Sequence, residues 1–386
     1  MSLRIKEYLR EGLSAPICLT WELTYRCNLA CVHCLSNSGN ADPAELGTEQ
    51  IMNLVDELVS MGVFYVNVGG GEPTLRPDFF EFLEHATAQR LGIKFSTNGT
   101  TINKKRAQRL AGMSYLDVQV SIDGADQRTN DVVRGRGSFS AALRALANLA
   151  EAGMNNVKVS VVATRFNLEQ LDTLEALAAR YGATLRITRL RPSGRGVRSW
   201  HRLRPTREQL RELHRWLLEH PHVSTGDSFF HLSPFGEQLD GLNMCGAGRV
   251  VCLIDPLGDV YACPFAIHEQ FRAGNVTDIG GFRRIWDSSL VFDSLRHATP
   301  TGSCSSCSVF NNCESGCMAA KFFAGLDTTG PDPECVLGHG DSPLAEVERM
   351  IPPAASLDHS RHSSNPIEQQ RTISAIPVSI STHCAS

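Results

Sequence analysis

Short apolar and β-branched runs alternate with amphipathic stretches along residues 16–220. This alternation is typical of βα units built around a parallel sheet. One stripe with the i, i+3, i+4, i+7 spacing of a helix face follows Thr48, a residue type that caps helices, and consists of Ile51, Leu54, Val55 and Leu58. The pattern predicts six strands, at 17–24, 63–68, 93–97, 115–122, 157–163 and 184–190. It predicts further helices at about 78–90, 103–111, 138–152, 168–180 and 206–219.

The number of repeats indicates an incomplete barrel. Six βα units are fewer than the eight that close a TIM barrel, so we predict an α/β fold with an open, partial (β/α)6 barrel and a site at the carboxyl ends of its strands. Helical periodicity fades over residues 221–340, where Gly, Cys and Asp are frequent. This segment is predicted to be a second, small domain held by metal ligands rather than by a large core. Residues 1–15 are predicted to be a helical lead-in, and the Ser-, Pro- and His-rich residues 341–386 a disordered tail.

The charge balance excludes several classes of function. The 386 residues carry 37 Lys and Arg against 41 Asp and Glu, a net charge of −4. This balance provides no basic surplus for a nucleic-acid groove. No uncharged apolar run approaches the roughly 18 residues of a membrane span, and the charged start lacks the character of a secretory signal. We therefore expect a cytoplasmic protein that binds neither nucleic acid nor membrane.

Thirteen cysteines are the unusual feature of the composition. In a reducing compartment, clustered cysteines more often bind metal or carry out redox chemistry than form disulfides. Two of them, Cys18 and Cys384, stand apart. The first group is Cys27, Cys31 and Cys34, and the second is Cys245, Cys252, Cys263, Cys304, Cys307, Cys313, Cys317 and Cys335.

The first group has the spacing C-x3-C-x2-C and lies in the loop after the first predicted strand. Three thiolates on one short loop can hold three irons of a 4Fe-4S cluster and leave the fourth iron open to a substrate or cofactor. The alternative is a zinc site completed by His33, although structural zinc sites favour C-x2-C pairs and four closed ligands.

This spacing, in this place on a partial barrel, resembles the radical S-adenosylmethionine (SAM) superfamily. The resemblance extends to the predicted ends of strands two, three and four, which read Gly70-Gly71-Glu72-Pro73, Ser96-Thr97-Asn98-Gly99 and Ser121-Ile122-Asp123-Gly124. It implies that SAM binds at Gly70, Gly71, Glu72, Asn98, Ser121, Asp123 and Arg134. The glycine motif with Glu72 would receive the amino group of SAM, and Ser121 with Arg134 its carboxylate. A helix cap or turn is the alternative role for Asn98 and Asp123.

The second group resembles the SPASM domain of peptide-modifying radical SAM enzymes. Its core reads C-x2-C-x5-C-x3-C, preceded by C-x12-G-x4-C and followed by one more cysteine. The resemblance implies two auxiliary clusters and therefore three 4Fe-4S clusters in all. The interleaved family pattern assigns Cys245, Cys252, Cys263 and Cys317 to one auxiliary cluster, and Cys304, Cys307, Cys313 and Cys335 to the other. Cys252 lies on an apolar run where a free thiol also packs well; without it, the first auxiliary cluster would have an open iron.

Four segments, 189–196, 226–231, 243–252 and 317–323, resemble the radical SAM maturases of the mycofactocin family. The resemblance implies oxidative decarboxylation of the C-terminal Tyr of a short ribosomal precursor peptide, followed by a Val-Tyr carbon-carbon bond that closes a lactam. It also implies a small peptide-binding chaperone protein and an electron donor as partners. Another SPASM maturase, one that oxidises a sulfatase residue or forms thioether bridges, is an alternative. A non-catalytic iron-sulfur or zinc protein that carries electrons or binds peptides is a second alternative, but it would not need the glycine motif or an open three-cysteine site.

Eight arginines lie within residues 186–207, beginning on the sixth predicted strand. They can form a solvated face, or they can contact an anion. Our hypothesis is that one of Arg189, Arg191 and Arg195 orients the terminal carboxylate of the peptide.

Overall fold

The computed structural model describes Leu9, residues 12–226 and residues 228–350. The first part of its sheet consists of β1 (Cys18–Thr24), β2 (Tyr65–Gly70), β3 (Gly92–Thr97), β4 (Leu116–Ser121), β5 (Val157–Ala163) and β6 (Thr184–Arg189). These strands pair in chain order, and every pairing is parallel. The open (β/α)6 arrangement is confirmed, and each strand begins and ends within two residues of its predicted bounds.

The helices that accompany these strands are α1 (Thr48–Ser60), α2 (Phe79–Ala88), α3 (Lys104–Ala111), α4 (Gln127–Arg134), α5 (Ser138–Glu151), α6 (Leu171–Arg180), α7 (Gly196–Leu203) and α8 (Arg207–Glu219). The predicted stripe of α1 is buried as expected. On β1, Trp21 faces outward and meets Phe82 of α2 edge-on, with ring centroids 5.6 Å apart. The buried face of the sheet thus packs against the apolar stripes of the helices.

Two of the barrel helices, α4 and α7, were not predicted. Of the eight residues of α4, only Asn130 and Val133 are buried, so the helix has no apolar stripe for periodicity to detect. Asp126 caps it, since the Asp126 carboxylate accepts a hydrogen bond from the Thr129 N–H.

The sheet continues past β1. It extends through β7 (Val251–Ile254), β8 (Asp259–Tyr261) and β9 (Arg272–Asn275), to give the order β6-β5-β4-β3-β2-β1-β7-β8-β9. Strand β7 is parallel to β1, whereas β8 and β9 are antiparallel additions. The helices that follow are α9 (Gly281–Ser288), α10 (Leu290–Arg296), α11 (Phe310–Cys313), α12 (Met318–Phe323) and α13 (Asp341–Met350).

Two sequence expectations about this second part are wrong. Residues 221–340 do have an apolar core, because Phe271, Trp286 and Phe292 are buried in the same cluster as the barrel strands. These residues come from short elements, which leave no periodicity. Residues 341–350, expected to be disordered, form α13, whose Leu344 packs against Trp200. Residues 351–386 and most of the predicted lead-in 1–15 lie outside the described residues. Among the described helices, none is long and apolar enough to cross a membrane.

Candidate cluster and cofactor sites

The first cysteine group lies on a loop that is fixed from three sides. At its base, the Cys27 N–H donates to the Gly39 carbonyl, at 2.8 Å. The Val32 N–H donates to the carbonyl of Val133 at the end of α4, at 3.0 Å. On the opposite side, the Arg195 guanidinium donates to the Cys31 carbonyl at 2.9 Å. The three thiols are therefore presented on a well-braced backbone.

The thiols of the first group are not gathered around a point where a single zinc ion could bind all three. Burial raises the pKa of the Cys27 thiol to about 11, with smaller contributions from nearby Glu72, Cys34 and Cys31. Binding to metal is what holds such thiols as thiolates. In the described part of the chain, no three cysteine sulfurs lie within 4.8 Å of one another, whereas Zn–S bonds of about 2.3 Å would require them to do so. His33, the predicted fourth zinc ligand, instead lies with its Nε2 2.9 Å from the Asp123 carboxylate.

The glycine motif after β2 packs directly on the start of the cysteine loop. The Gly71 N–H donates to the Thr24 carbonyl at 2.7 Å, and the Glu72 N–H donates to the Arg26 carbonyl at 2.8 Å. A Cβ atom on Gly71 would lie 2.1 Å from the Arg26 carbonyl oxygen, so only glycine fits there. This close approach holds the backbone of the glycine motif against the start of the cysteine loop.

The Glu72 side chain is buried and connects the glycine motif with the end of β3. It is 1% exposed, and its Oε1 accepts hydrogen bonds from the hydroxyls of Thr74, at 2.5 Å, and Thr97, at 2.8 Å. Its Oε2 accepts from the Asn98 N–H at 2.7 Å. Burial raises the pKa of Glu72 above its ordinary value. The contact between this carboxylate and the SAM amino group stays a prediction, and the structure adds that both carboxylate oxygens are hydrogen-bonded within the protein.

Asn98, at the end of β3, has its side chain in use. Its amide donates to the Asn28 side chain at 2.9 Å, which ties the strand end to the cysteine loop. Its Oδ1 accepts from the Thr100 N–H at 2.9 Å, which is the turn role named as the alternative. Asn98 therefore positions the loop that carries the first cysteine group.

Asp123 connects the end of β4 with both the cysteine loop and α4. It is fully buried, and its Oδ2 lies 2.6 Å from Arg134 Nε and 2.9 Å from His33 Nε2. Burial alone would raise the pKa of Asp123, but the charges of Arg134 and His33 hold it well below its usual range. Ser121 differs from its neighbours, because its half-buried hydroxyl makes no hydrogen bond to the part of the chain that the structure describes. Of the predicted SAM contacts, Ser121 is thus free to bind a ligand.

One predicted auxiliary set is brought together in a single cavity. We call this space, lined by Cys304, Cys307, Cys313 and Cys335, the four-cysteine cavity. Burial raises the pKa of the Cys313 thiol to about 12, and the neighbouring Cys335 adds to the rise. Such thiols bind metal on losing their protons, so these four residues can hold one of the predicted auxiliary clusters.

The other predicted set is only partly brought together. Burial raises the pKa of Cys263, and the charges of Cys317 and Cys245 raise it further. Cys252 lies on β7 opposite Leu19 of β1 and is 0% exposed. Burial raises its pKa well above the ordinary value, with contributions from both Cys18 and Cys263. Its position beside Cys263 is compatible with ligation and equally with a packed thiol.

The three candidate arginines all make internal contacts. Arg189 is 4% exposed; its Nη1 donates to Asp332 at 2.9 Å and its Nε donates to Glu334 at 2.7 Å, so its guanidinium already pairs with two carboxylates, and a contact with the peptide carboxylate stays a prediction. Arg191 donates through Nε to the sulfur of Cys317 at 3.3 Å. Arg195 braces the first cysteine loop, as described above. Sequence reasoning missed Asp332, which also accepts a hydrogen bond from the Cys317 N–H at 2.7 Å.

Comparisons with known proteins agree with this geometry. A model of the radical SAM superfamily matches residues 21–178, and a model of the SPASM iron-sulfur cluster-binding domain matches residues 245–308. The chain is 58% identical over 367 residues to mycofactocin maturase MftC of Mycobacterium tuberculosis, covering 94% of each protein. It is 60% identical over 361 residues to mycofactocin maturase MftC of Mycolicibacterium smegmatis, covering 93% of this chain and 92% of the relative.

Among solved structures, Streptococcus suis SuiB bound to precursor peptide SuiA has a TM-score of 0.70. The sequence identity is 20%, and the match covers 86% of this chain and 78% of SuiB, so this likeness concerns the fold alone. The radical SAM and SPASM matches mean that the protein uses SAM and 4Fe-4S clusters, and they set aside a non-catalytic role. The long, strong similarity to the two maturases then makes this chain a member of the mycofactocin maturase family of radical SAM enzymes.

Proposed function

We propose that this enzyme matures the mycofactocin precursor peptide. The observation that carries the proposal is the identity of 58–60%, over more than nine-tenths of the chain, to proteins named mycofactocin maturase. The finer reaction is part of the proposal. In a first step, the C-terminal Tyr loses CO2 and two hydrogens, one of them from its β-carbon, to leave an unsaturated tyramine. In a second step, the Val β-carbon bonds to the Tyr-derived carbon with no change in mass, which closes a five-membered lactam.

The residues of the barrel serve radical formation in this proposal. When bound, a reduced 4Fe-4S cluster and SAM supply the 5′-deoxyadenosyl radical that takes hydrogen from an unactivated carbon. Cys27, Cys31 and Cys34 would hold that cluster, and the free hydroxyl of Ser121 would contact SAM. The Asp123 carboxylate would orient Arg134, whose side chain is 11% exposed, toward the SAM carboxylate.

The second cysteine group serves the oxidation. Loss of CO2 and two hydrogens is a net two-electron oxidation, so one electron must leave the substrate after the first hydrogen is removed. We propose two auxiliary clusters as its acceptors, which makes three clusters in all, held within a barrel of residues 16–220 and a cluster domain of residues 221–340. An external electron donor and a small peptide-binding chaperone complete the system.

Incubation with the precursor tests this function. We expect the iron-loaded, reduced enzyme, given SAM, the chaperone and a peptide that ends in Val-Tyr, to yield a product lacking the mass of CO2 and two hydrogens. The same peptide with a C-terminal amide cannot lose CO2 and serves as the control. Mass spectrometry that finds the Val-Tyr peptide unchanged, although SAM is cleaved in the same sample, would contradict the proposed substrate.

A further inference from the structure

His231 lies on the wall of the four-cysteine cavity. It belongs to the short 3-10 helix Phe230–Phe235, which connects the barrel with the second cysteine group. The side chain is 2% exposed and its ring stacks on Phe229, with ring centroids 6.2 Å apart. The imidazole is therefore held in one place beside the four thiols.

Neither ring nitrogen of His231 has a hydrogen-bond partner in the described structure. Leaving a buried polar group unpaired is costly, and native proteins rarely tolerate it. His214 shows the usual solution close by: it is 5% exposed, and its Nε2 is paired with the Glu237 carbonyl at 2.8 Å. His231 has no such partner among the described residues, which indicates that its partner arrives with the group that fills the cavity.

The remaining walls leave few other partners for that imidazole. Pro234, Val309 and Phe310 are apolar parts of the lining. Ser315 and His339 are polar parts of it, but neither is hydrogen-bonded to His231, and the Ser315 hydroxyl already accepts a hydrogen bond from Lys321 Nζ at 3.1 Å. Asp332 also lines the cavity, but its two oxygens already accept hydrogen bonds from Arg189 and from the backbone of Cys317 and Glu334. The acceptors that a bound cluster would add are its thiolate and sulfide sulfurs.

We propose that His231 donates an N–H hydrogen bond to a sulfur of the cluster held in the four-cysteine cavity and thereby raises the reduction potential of that cluster. A donor beside sulfur stabilises the more negative, reduced state, and hydrogen bonds to sulfur are among the features that set cluster potentials. His231 is thus a positioning and tuning residue, not a catalytic one. The inference depends on the proposed cluster at this site, but it does not depend on the peptide substrate.

A redox titration of the full-length protein tests the role of His231. In a background with Cys27, Cys31 and Cys34 replaced by alanine, only the auxiliary clusters contribute to the electron paramagnetic resonance signal. We expect His231→Leu to lower the reduced-to-oxidised ratio of one auxiliary cluster about tenfold at a fixed potential, a shift of about −59 mV for a one-electron couple. The other cluster should not shift. His231→Gln or His231→Asn, which retains an N–H near one ring nitrogen, should restore most of the potential.

His214→Leu is the matched control, because it removes an equally buried histidine that already has a protein partner, and it should move neither potential. Hyperfine coupling from 15N-labelled histidine to the reduced cluster is a second readout on the protein with His231 intact, and coupling that persists in His339→Ala belongs to His231 and not to His339, which also lines the cavity. Unchanged potentials in His231→Leu would overturn the inference. If His231→Leu loses iron, absence of 15N coupling in the unsubstituted protein would overturn it instead. Because the titration uses no SAM and no peptide, its failure is distinct from failure of the proposed reaction.

Discussion

Replacing Cys27, Cys31 and Cys34 together by alanine will abolish formation of 5′-deoxyadenosine. It will also lower the iron content from about twelve to about eight atoms per chain, because one of three 4Fe-4S clusters is lost. The braces around this loop come from backbone groups and from Arg195, so the fold should survive without the thiols. Iron and sulfide analysis, together with chromatography of the SAM products from anaerobic, reduced samples, measures both effects.

Cys18→Ala is the control for that variant. Cys18 is a partly buried thiol on β1, outside both groups, and its loss should change neither the iron content nor SAM cleavage. Iron content that stays near twelve in the triple variant, or 5′-deoxyadenosine that still forms, would show that these thiols do not hold the cluster that cleaves SAM.

Replacing Cys304 and Cys313 together by alanine will separate SAM cleavage from product formation. These two residues supply half of the thiols in the four-cysteine cavity, so its cluster should be lost and iron should fall to about eight atoms per chain. We expect decarboxylated peptide to form at least about 100-fold more slowly, which is about 2.7 kcal/mol in the barrier. Formation of 5′-deoxyadenosine should continue, since the first cysteine loop lies on the barrel and is untouched.

Cys252→Ala helps to interpret that experiment. If Cys252 is a packed thiol, this variant retains its iron, whereas a ligand role predicts a loss. For the double variant itself, normal yields of decarboxylated peptide would contradict an electron-accepting role for the four-cysteine cavity. Loss of both SAM cleavage and product in a sample that retains its first cluster would contradict the separation of roles.

The sequence was most informative where local pattern and burial agree. The stripe that begins at Ile51 and the apolar residues of β1 predict their elements well, because both are buried in the same core cluster. Helix α4 is mostly polar and depends on its Asp126 cap and on contacts with the cysteine loop. Its hydrophobic pattern therefore could not predict a helix. Likewise α13 is held by Leu344 against Trp200, a contact between residues far apart in the chain.

The same distinction explains the candidate sites. The resemblance to the SPASM domain, and not spacing alone, implied which thiols share the four-cysteine cavity, because Cys335 lies 22 residues after Cys313 whereas the nearer Cys317 is not in the lining. The internal partners of Arg189 could not be predicted, because Asp332 and Glu334 lie more than 140 residues further along the chain. The partners of the Glu72 side chain were missed for a related reason: Thr97 and Asn98, which bind it, lie at the end of the next strand of the sheet. A motif shows that a residue is needed, but long-range contacts decide whether its side chain meets the ligand.

The fate of hydrogen from the terminal Tyr tests the account most directly. The precursor is prepared with deuterium on the β-carbon of that Tyr, and a matched peptide carries deuterium on the α-carbon instead. After one turnover with SAM, mass spectrometry should find one deuterium in 5′-deoxyadenosine from the β-labelled peptide and none from the α-labelled one. The product of the β-labelled peptide should lack CO2, one hydrogen and one deuterium. Product formation with unlabelled 5′-deoxyadenosine would contradict the proposed radical attack at this carbon.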